Sequence, residues 1–311
     1  MYIMLSQYID NLIQNIPPRE TPLELDIVLE GGLFNGSYEL GILMFIKALE
    51  KKNYLKVNRL SGTSVGAINA FRYITNRLEP SIEDSALLSN HLRIHFNLKM
   101  LKQIIDKDIE TMEPEIFERI KKDILYINYF DVDKKQQIIE SQYTSKQHLR
   151  DTILKSCHIP FLSDGSCCIQ ENGCRLIDGG LPYIFPEREK RLNKHILYIS
   201  ISGTSKIKTM WDAKNEKTMH GRVLQGILDV YHFLLKQKET EMCSFVDKWS
   251  FTDFLILRIK YCLCIGIVYI ASWFIVIGRW VTPVAEKSEL YHKMLPIWRD
   301  ICRDWFLHFY F

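Results

Sequence analysis

"RLSGTSVGAINA", residues 59–70, decides how this chain is read. Gly62, Ser64 and Gly66 form a G-x-S-x-G pattern, which suits a sharp turn from a strand into a helix. Glycines at both flanks remove the Cβ atoms that would collide there and leave the serine hydroxyl at the apex. The short run 57–61 before it predicts a strand, and "SVGAINAFRYITNRL" after it predicts a helix. The same alternation precedes it. "LDIVL", residues 25–29, reads as a buried strand. "EGGLFNG" is a glycine-rich turn, and "SYELGILMFIKALEKKN" places Leu40, Leu43, Met44 and Leu49 at helical spacing. Strand, turn, helix, strand, turn, helix is a βαβα unit. It predicts an α/β domain of three layers around a parallel-rich sheet. In such sheets ligands bind beyond the carboxyl ends of the strands, where both turns fall.

Further along, residues 84–125 look helical, with Pro114 opening a new helix. Residues 144–157 predict a helix capped by Thr144. "CCIQENGCRLID" has the Asn-Gly signature of a hairpin, "HILYISIS" (195–202) reads as a strand, and residues 221–240 read as a helix.

The bulk properties narrow the function. The chain has 311 residues, 47% of them hydrophobic and 25% charged, with a net charge of +3. That balance argues against nucleic acid as the main partner. Eight cysteines are present but no C-x-x-C pair, so they read as reduced thiols rather than a zinc site or a disulfide scaffold. The first twenty residues lack a basic n-region and are interrupted by Asp10, so they read as an amphipathic helix stopped by Pro17 and Pro18.

Three features share one chemistry. Ester cleavage needs a nucleophile, a base to take its proton, and donors for the developing oxyanion. Ser64 suits the first role, at a helix start whose dipole favours negative charge. Asp178, followed by Gly179 and Gly180, suits the second. The turn at Gly31, Gly32 and Leu33, closed by Gly36, suits the third through its backbone N–H groups. Taken alone, each feature has a plainer reading. Asp-Gly is a common turn pair. The glycine turn is a weak phosphate-binding candidate, with Leu33 where G-x-G-x-x-G needs glycine. A Ser–His–Asp hydrolase drawing on His195, His220 or His232 is a rival within enzymes, although none of these has a local signature.

"LEGGLFNGSYELGIL" (29–43), "GTSVG" (62–66) and "IDGGLP" (177–182), in that order, with "LRDTILKSCHIPFL" before the last, resemble the patatin-like phospholipases. The resemblance covers about residues 25–205. It implies a Ser64–Asp178 dyad without histidine, no cofactor or required metal, and hydrolysis of the acyl esters of glycerolipids. Two positions depart from the family's pattern. Leu33 stands where a third glycine is usual, and Asn35 where a Lys or Arg is usual. They motivate an alternative, a catalytically weak lipid-binding or membrane scaffold protein.

The organisation expected is an N-terminal amphipathic helix (1–21), a patatin-like domain (22–245) and a C-terminal membrane-associating hydrophobic region (246–311). "YCLCIGIVYIASWFIVIG", residues 261–278, carries no charge. As a helix it would span about 27 Å, so a spanning or embedded helix is expected, against a buried or strand-like segment. Basic residues outnumber acidic ones between Arg188 and Arg222. They suit anionic headgroups and place the catalytic domain on the cytosolic side. In the tail, Leu295, Trp298, Ile301, Cys302 and Trp305 share one helical face. The expected partners are therefore a lipid substrate and a membrane surface.

Overall fold

The computed structural model of the protein describes residues 2–18, 20–186, 194–203, 206, 210, 219–263, 266, 270, 273 and 287–310. The predicted βαβα unit is present: β1 (Leu23–Leu29), α2 (Gly36–Lys51), β2 (Leu55–Gly62) and α3 (Val65–Ile74), preceded by α1 (Tyr2–Ile13). The stretch expected to be helical divides into α4 (Ser81–His95), α5 (Met100–Glu110) and α6 (Pro114–Ile120). Two strands that the sequence reading did not anticipate follow, β3 (Leu125–Asp131) and β4 (Gln136–Glu140). Then come α7 (Lys146–Ser156), the hairpin β5 (Ile169–Glu171) and β6 (Cys174–Asp178), β7 (Lys194–Ile199), α8 (Met219–Lys236) and β8 (Cys243–Phe245).

The strands form one mixed sheet in the order β5-β6-β3-β2-β1-β7-β8, with β4 beside β3. Its centre, β3-β2-β1-β7, is parallel, and the flanking pairs are antiparallel. Side chains along β1 alternate between two buried faces. Leu23, Leu25, Ile27 and Leu29 enter the large core under the helices, whereas Val28 joins Phe185, Ile196 and Tyr198 on the other side. That second face is covered by residues around Tyr183, Trp249 and Leu257. The predicted three-layer α/β architecture follows from this two-sided burial.

Two local expectations need correction. The cap of α7 is Ser145, not Thr144. Ser145 is extended (φ −151°, ψ 162°) and its Oγ accepts the His148 N–H at 3.0 Å, one turn into the helix. α8 ends at Lys236 because Gln237 turns left-handed (φ 50°). The hairpin turn is as expected, with Asn172 and Gly173 both at positive φ.

Among the described residues no helix is long and apolar enough to cross a membrane. Most of the 261–278 run lies outside the described residues, as does much of the basic stretch 188–222. The spanning helix expected there falls outside the described residues. The tail is helical over Glu289–Tyr310. Of the face expected on it, only the Ile301 side chain is among those described, and it is exposed.

One buried charge ties the C-terminal part to the sheet. Glu30, the residue after β1, is 1% exposed. Its carboxylate accepts the N–H groups of Ile201 and Ser202 and the hydroxyls of Tyr198, Ser200 and Ser202. It also accepts Lys260 Nζ at 3.1 Å. Burial alone would raise its pKa, yet Lys260, Ser202 and Tyr198 together hold it below the usual carboxylate value. Replacing Lys260 by methionine keeps the stem but removes the cation paired with Glu30. It is expected to destabilise the fold by about 2 kcal/mol, read as a lower urea midpoint at unchanged slope.

Candidate active site

β2 ends at Gly62, and α3 begins one residue after Ser64. Ser64 is held at φ 54°, ψ −127°, a region that a non-glycine residue adopts only when its surroundings enforce it. The flanking glycines make this turn possible. A Cβ on Gly62 would stand 2.4 Å from the Gly66 carbonyl oxygen, and one on Gly66 would stand 2.6 Å from that of Glu30. No side chain fits either place. The Ser64 N–H donates to Ser156 Oγ at 2.9 Å, and Ser156 Oγ donates to the Asn128 carbonyl at 2.8 Å. The hydroxyl itself is thereby left at the half-buried apex of the turn.

Asp178 closes β6, opposite Tyr129 of β3. Its Oδ1 accepts the Gly180 N–H at 2.8 Å, and Gly180 is left-handed (φ 70°). The Ser64 hydroxyl lies near enough to the Asp178 carboxylate to favour its ionised form. Burial pushes the pKa of Asp178 up to about 6, although the Ser64 hydroxyl and the Gly180 N–H favour its charged form. Gly179 packs with no room to spare, since a Cβ there would lie 2.3 Å from Asn128 Nδ2. Asn128 Nδ2 donates to the Leu181 carbonyl at 2.7 Å. Asn128 therefore joins the aspartate loop to the serine turn.

The glycine turn lies beside them. A Cβ on Gly31 would come within 3.1 Å of Ser64 Cβ, and one on Gly36 within 2.2 Å of Val65 Cγ2. Leu33 takes a left-handed conformation (φ 47°), and its side chain packs against the core. Among the described residues, no protein acceptor takes the N–H of Gly31, Gly32 or Leu33. Asn35 is fully buried. Its amide donates to the carbonyls of Ile201 and Lys206, each at 2.9 Å. It anchors the turn where the family's cation is usual.

The histidines weighed as alternatives stand elsewhere. His195 is the second residue of β7, which runs parallel to β1, so it sits at the opposite end of the sheet from Ser64. Its Nδ1 pairs with Asp247 at 2.8 Å. His220 and His232 are on α8. Among the described residues no histidine lines the cavity at Ser64. His158 does approach, but it contributes only its carbonyl, which accepts the Asp178 N–H at 3.0 Å. Cys157 is also near, and burial, reinforced by Asp178, raises its thiol pKa well above the ordinary value. It is therefore protonated and no rival nucleophile. Among the described residues no group of three or more His, Cys, Asp or Glu could hold a metal ion.

Two residues of this arrangement went unread in the sequence, Asn128 and Ser156. Asn128 left a faint signal as an amide in the middle of the otherwise apolar "LYINYF". Ser156 left none.

No curated protein matches the chain in sequence. Among solved structures it is similar to VipD from Legionella pneumophila, at 15% identity over 58% of this chain and 52% of that one, with a TM-score of 0.37. It is also similar to the ExoU–SpcU complex from the type III secretion system of Pseudomonas aeruginosa, at 14% identity over 86% and 61%, with a TM-score of 0.35. The chain thus spans about half of the first and three fifths of the second. A family model described as patatin-like phospholipase matches residues 27–188, from β1 past Asp178 and more than half of the sequence. That span contains the glycine turn, the serine turn and the aspartate loop, and the chain belongs to the patatin-like phospholipase family.

Proposed function

We propose that this protein hydrolyses the acyl esters of glycerolipids, with Ser64 as nucleophile and Asp178 as the only general base. The observation that carries the reading is the strained Ser64 turn set against a buried carboxylate whose pKa is near 6. Ionised Asp178 takes the Ser64 hydroxyl proton as Oγ bonds to the substrate carbonyl carbon. The oxygen that becomes negative is stabilised by the N–H groups of Gly31, Gly32 and Leu33. Collapse breaks the ester C–O bond, and the proton on Asp178 passes to the leaving alcohol. Water then gives a proton to Asp178 and attacks the acyl-Ser64 ester. The fatty acid leaves, and the proton returns to Ser64 Oγ. Leu33 in place of a third glycine costs the turn nothing in donors, because only its backbone N–H is used.

A fluorophosphonate probe tests the assignment. It is expected to label the wild-type protein and not the Ser64→Ala variant. Equal chromogenic-ester hydrolysis by wild type, Ser64→Ala and Asp178→Asn would favour the lipid-binding scaffold instead. The pH profile adds a second check. A protonated Asp178 cannot accept the serine proton, so kcat/KM should fall as pH drops through about 6 and level off above it. A profile flat down to pH 4 would sink the base role.

The C-terminal region suits attachment to a lipid surface, and residues 22–245 form the hydrolase domain in this proposal. On the helical stretch 251–263, Phe251 is 82% exposed, and Phe254, Leu255, Ile259 and Leu263 are also exposed. Such a contiguous apolar face is costly in water and at home against acyl chains.

A further inference from the structure

One cavity connects Ser64 to a buried ion pair that the reaction does not use. Ser64, at the cap of α3, and Val65, Ile68, Asn69 and Arg72 on α3 line one face of this cavity. α4 faces it with Asp84, Ser85 and Leu88, and Leu40, Leu101 and Ile104 complete the apolar wall. The far end is polar. The Arg72 side chain is 4% exposed and pairs with Asp84, whose side chain is 16% exposed. Arg72 Nε also donates to Asp108 at 2.7 Å, and Arg77 holds the other Asp108 oxygen at 3.3 Å.

We propose that the Arg72–Asp84 pair closes the acyl channel and sets the length of acyl chain that the enzyme accepts. The proposal rests on Ser64 being the nucleophile. Eight residues of helix separate Ser64 from Arg72, about 12 Å, which is the reach of an extended acyl chain on the order of ten carbons. Up to that length the chain runs along a mostly apolar wall, and each added methylene gains by leaving water. Beyond it, a methyl terminus meets buried charges. It must either stop or part an ion pair that is largely buried. The channel therefore rewards medium chains and penalises long ones. A chain with a polar end group is the exception, because that group can join Arg72 or Asp84.

The full-length protein and a series of p-nitrophenyl esters from four to sixteen carbons test this. The readout is the ratio of kcat/KM for the sixteen-carbon ester to that for the eight-carbon ester, which does not depend on how much of a preparation is folded. The wild-type ratio should lie well below one. Arg72→Met combined with Asp84→Ala leaves Asp108 paired to Arg77 and opens the end, and should raise the ratio at least tenfold. Should that variant fail to fold, Leu88→Trp narrows the channel partway along. It should move the optimum to chains shorter than eight carbons. A ratio unchanged in the double variant, or an optimum unmoved by Leu88→Trp, overturns the length-setting role. Hydrolysis that persists in Ser64→Ala overturns the nucleophile assignment on which it rests.

Discussion

Replacing Ser64 by alanine should reduce ester hydrolysis by about four orders of magnitude or more, and Asp178→Asn by about three. Both variants should still fold. Ser64 makes its structural contacts with its backbone, through the N–H to Ser156 and the carbonyl to Cys157. Alanine keeps those contacts and removes only the hydroxyl. Asparagine is nearly isosteric with aspartate. Its Oδ1 can still accept the Gly180 N–H, and it removes a charge that burial already penalises. Loss of activity with unchanged thermal unfolding would therefore report chemistry, not collapse. Because the two groups act as one unit, the double variant should be no slower than Ser64→Ala alone. Additive losses would mean that Asp178 acts somewhere other than on the serine.

The second large effect concerns folding. α2 and α8 approach so closely that each turns a glycine toward the backbone of the other. A Cβ on Gly41 would lie 2.0 Å from the Val223 carbonyl oxygen, and one on Gly226 would lie 2.1 Å from that of Tyr38. In an exposed helix, glycine to alanine stabilises by about 1 kcal/mol. Here the sign should reverse. The atoms in the way are backbone, not the tips of flexible side chains, so the helices must separate. That loosens packing among Tyr38, Ile42, Val223 and Ile227, which are all buried. Gly41→Ala and Gly226→Ala are each expected to cost about 3 kcal/mol, measured by denaturant unfolding. Either variant proving as stable as wild type would mean that the two helices do not pack this tightly.

The two glycine pairs differ in how they could be read. Gly62 and Gly66 announce themselves, because they flank a serine between a strand and a helix. Gly41 and Gly226 lie inside helices, where spacing alone makes them look like weak points. Their use appears only when the helices meet. The same division holds for the strands. β1 and β2 were legible as short apolar runs bounded by turns. β3 escaped notice because it follows a helical stretch directly and carries Asn128, and β4 because "QQIIE" lies at the sheet's edge with little apolar content.

What the amino-acid sequence determined by itself was local. It placed the order of strands, turns and helices, the glycines that permit the Ser64 turn, the Asn172-Gly173 hairpin, and the residue types of the reaction. The tertiary structure alone decided which of these groups meet. Ser64 and Asp178 are more than a hundred residues apart, and their encounter depends on β2 pairing with Leu125–Ile127 of β3 and β6 pairing with Tyr129–Asp131 farther along the same edge, while β4 takes the opposite edge. Asn128 then fills the space between the two loops. The backbone conformation of a turn is set by a few neighbouring residues, and so it is written in their identities. Contact across a sheet depends on the register of several strands at once, which no single segment encodes.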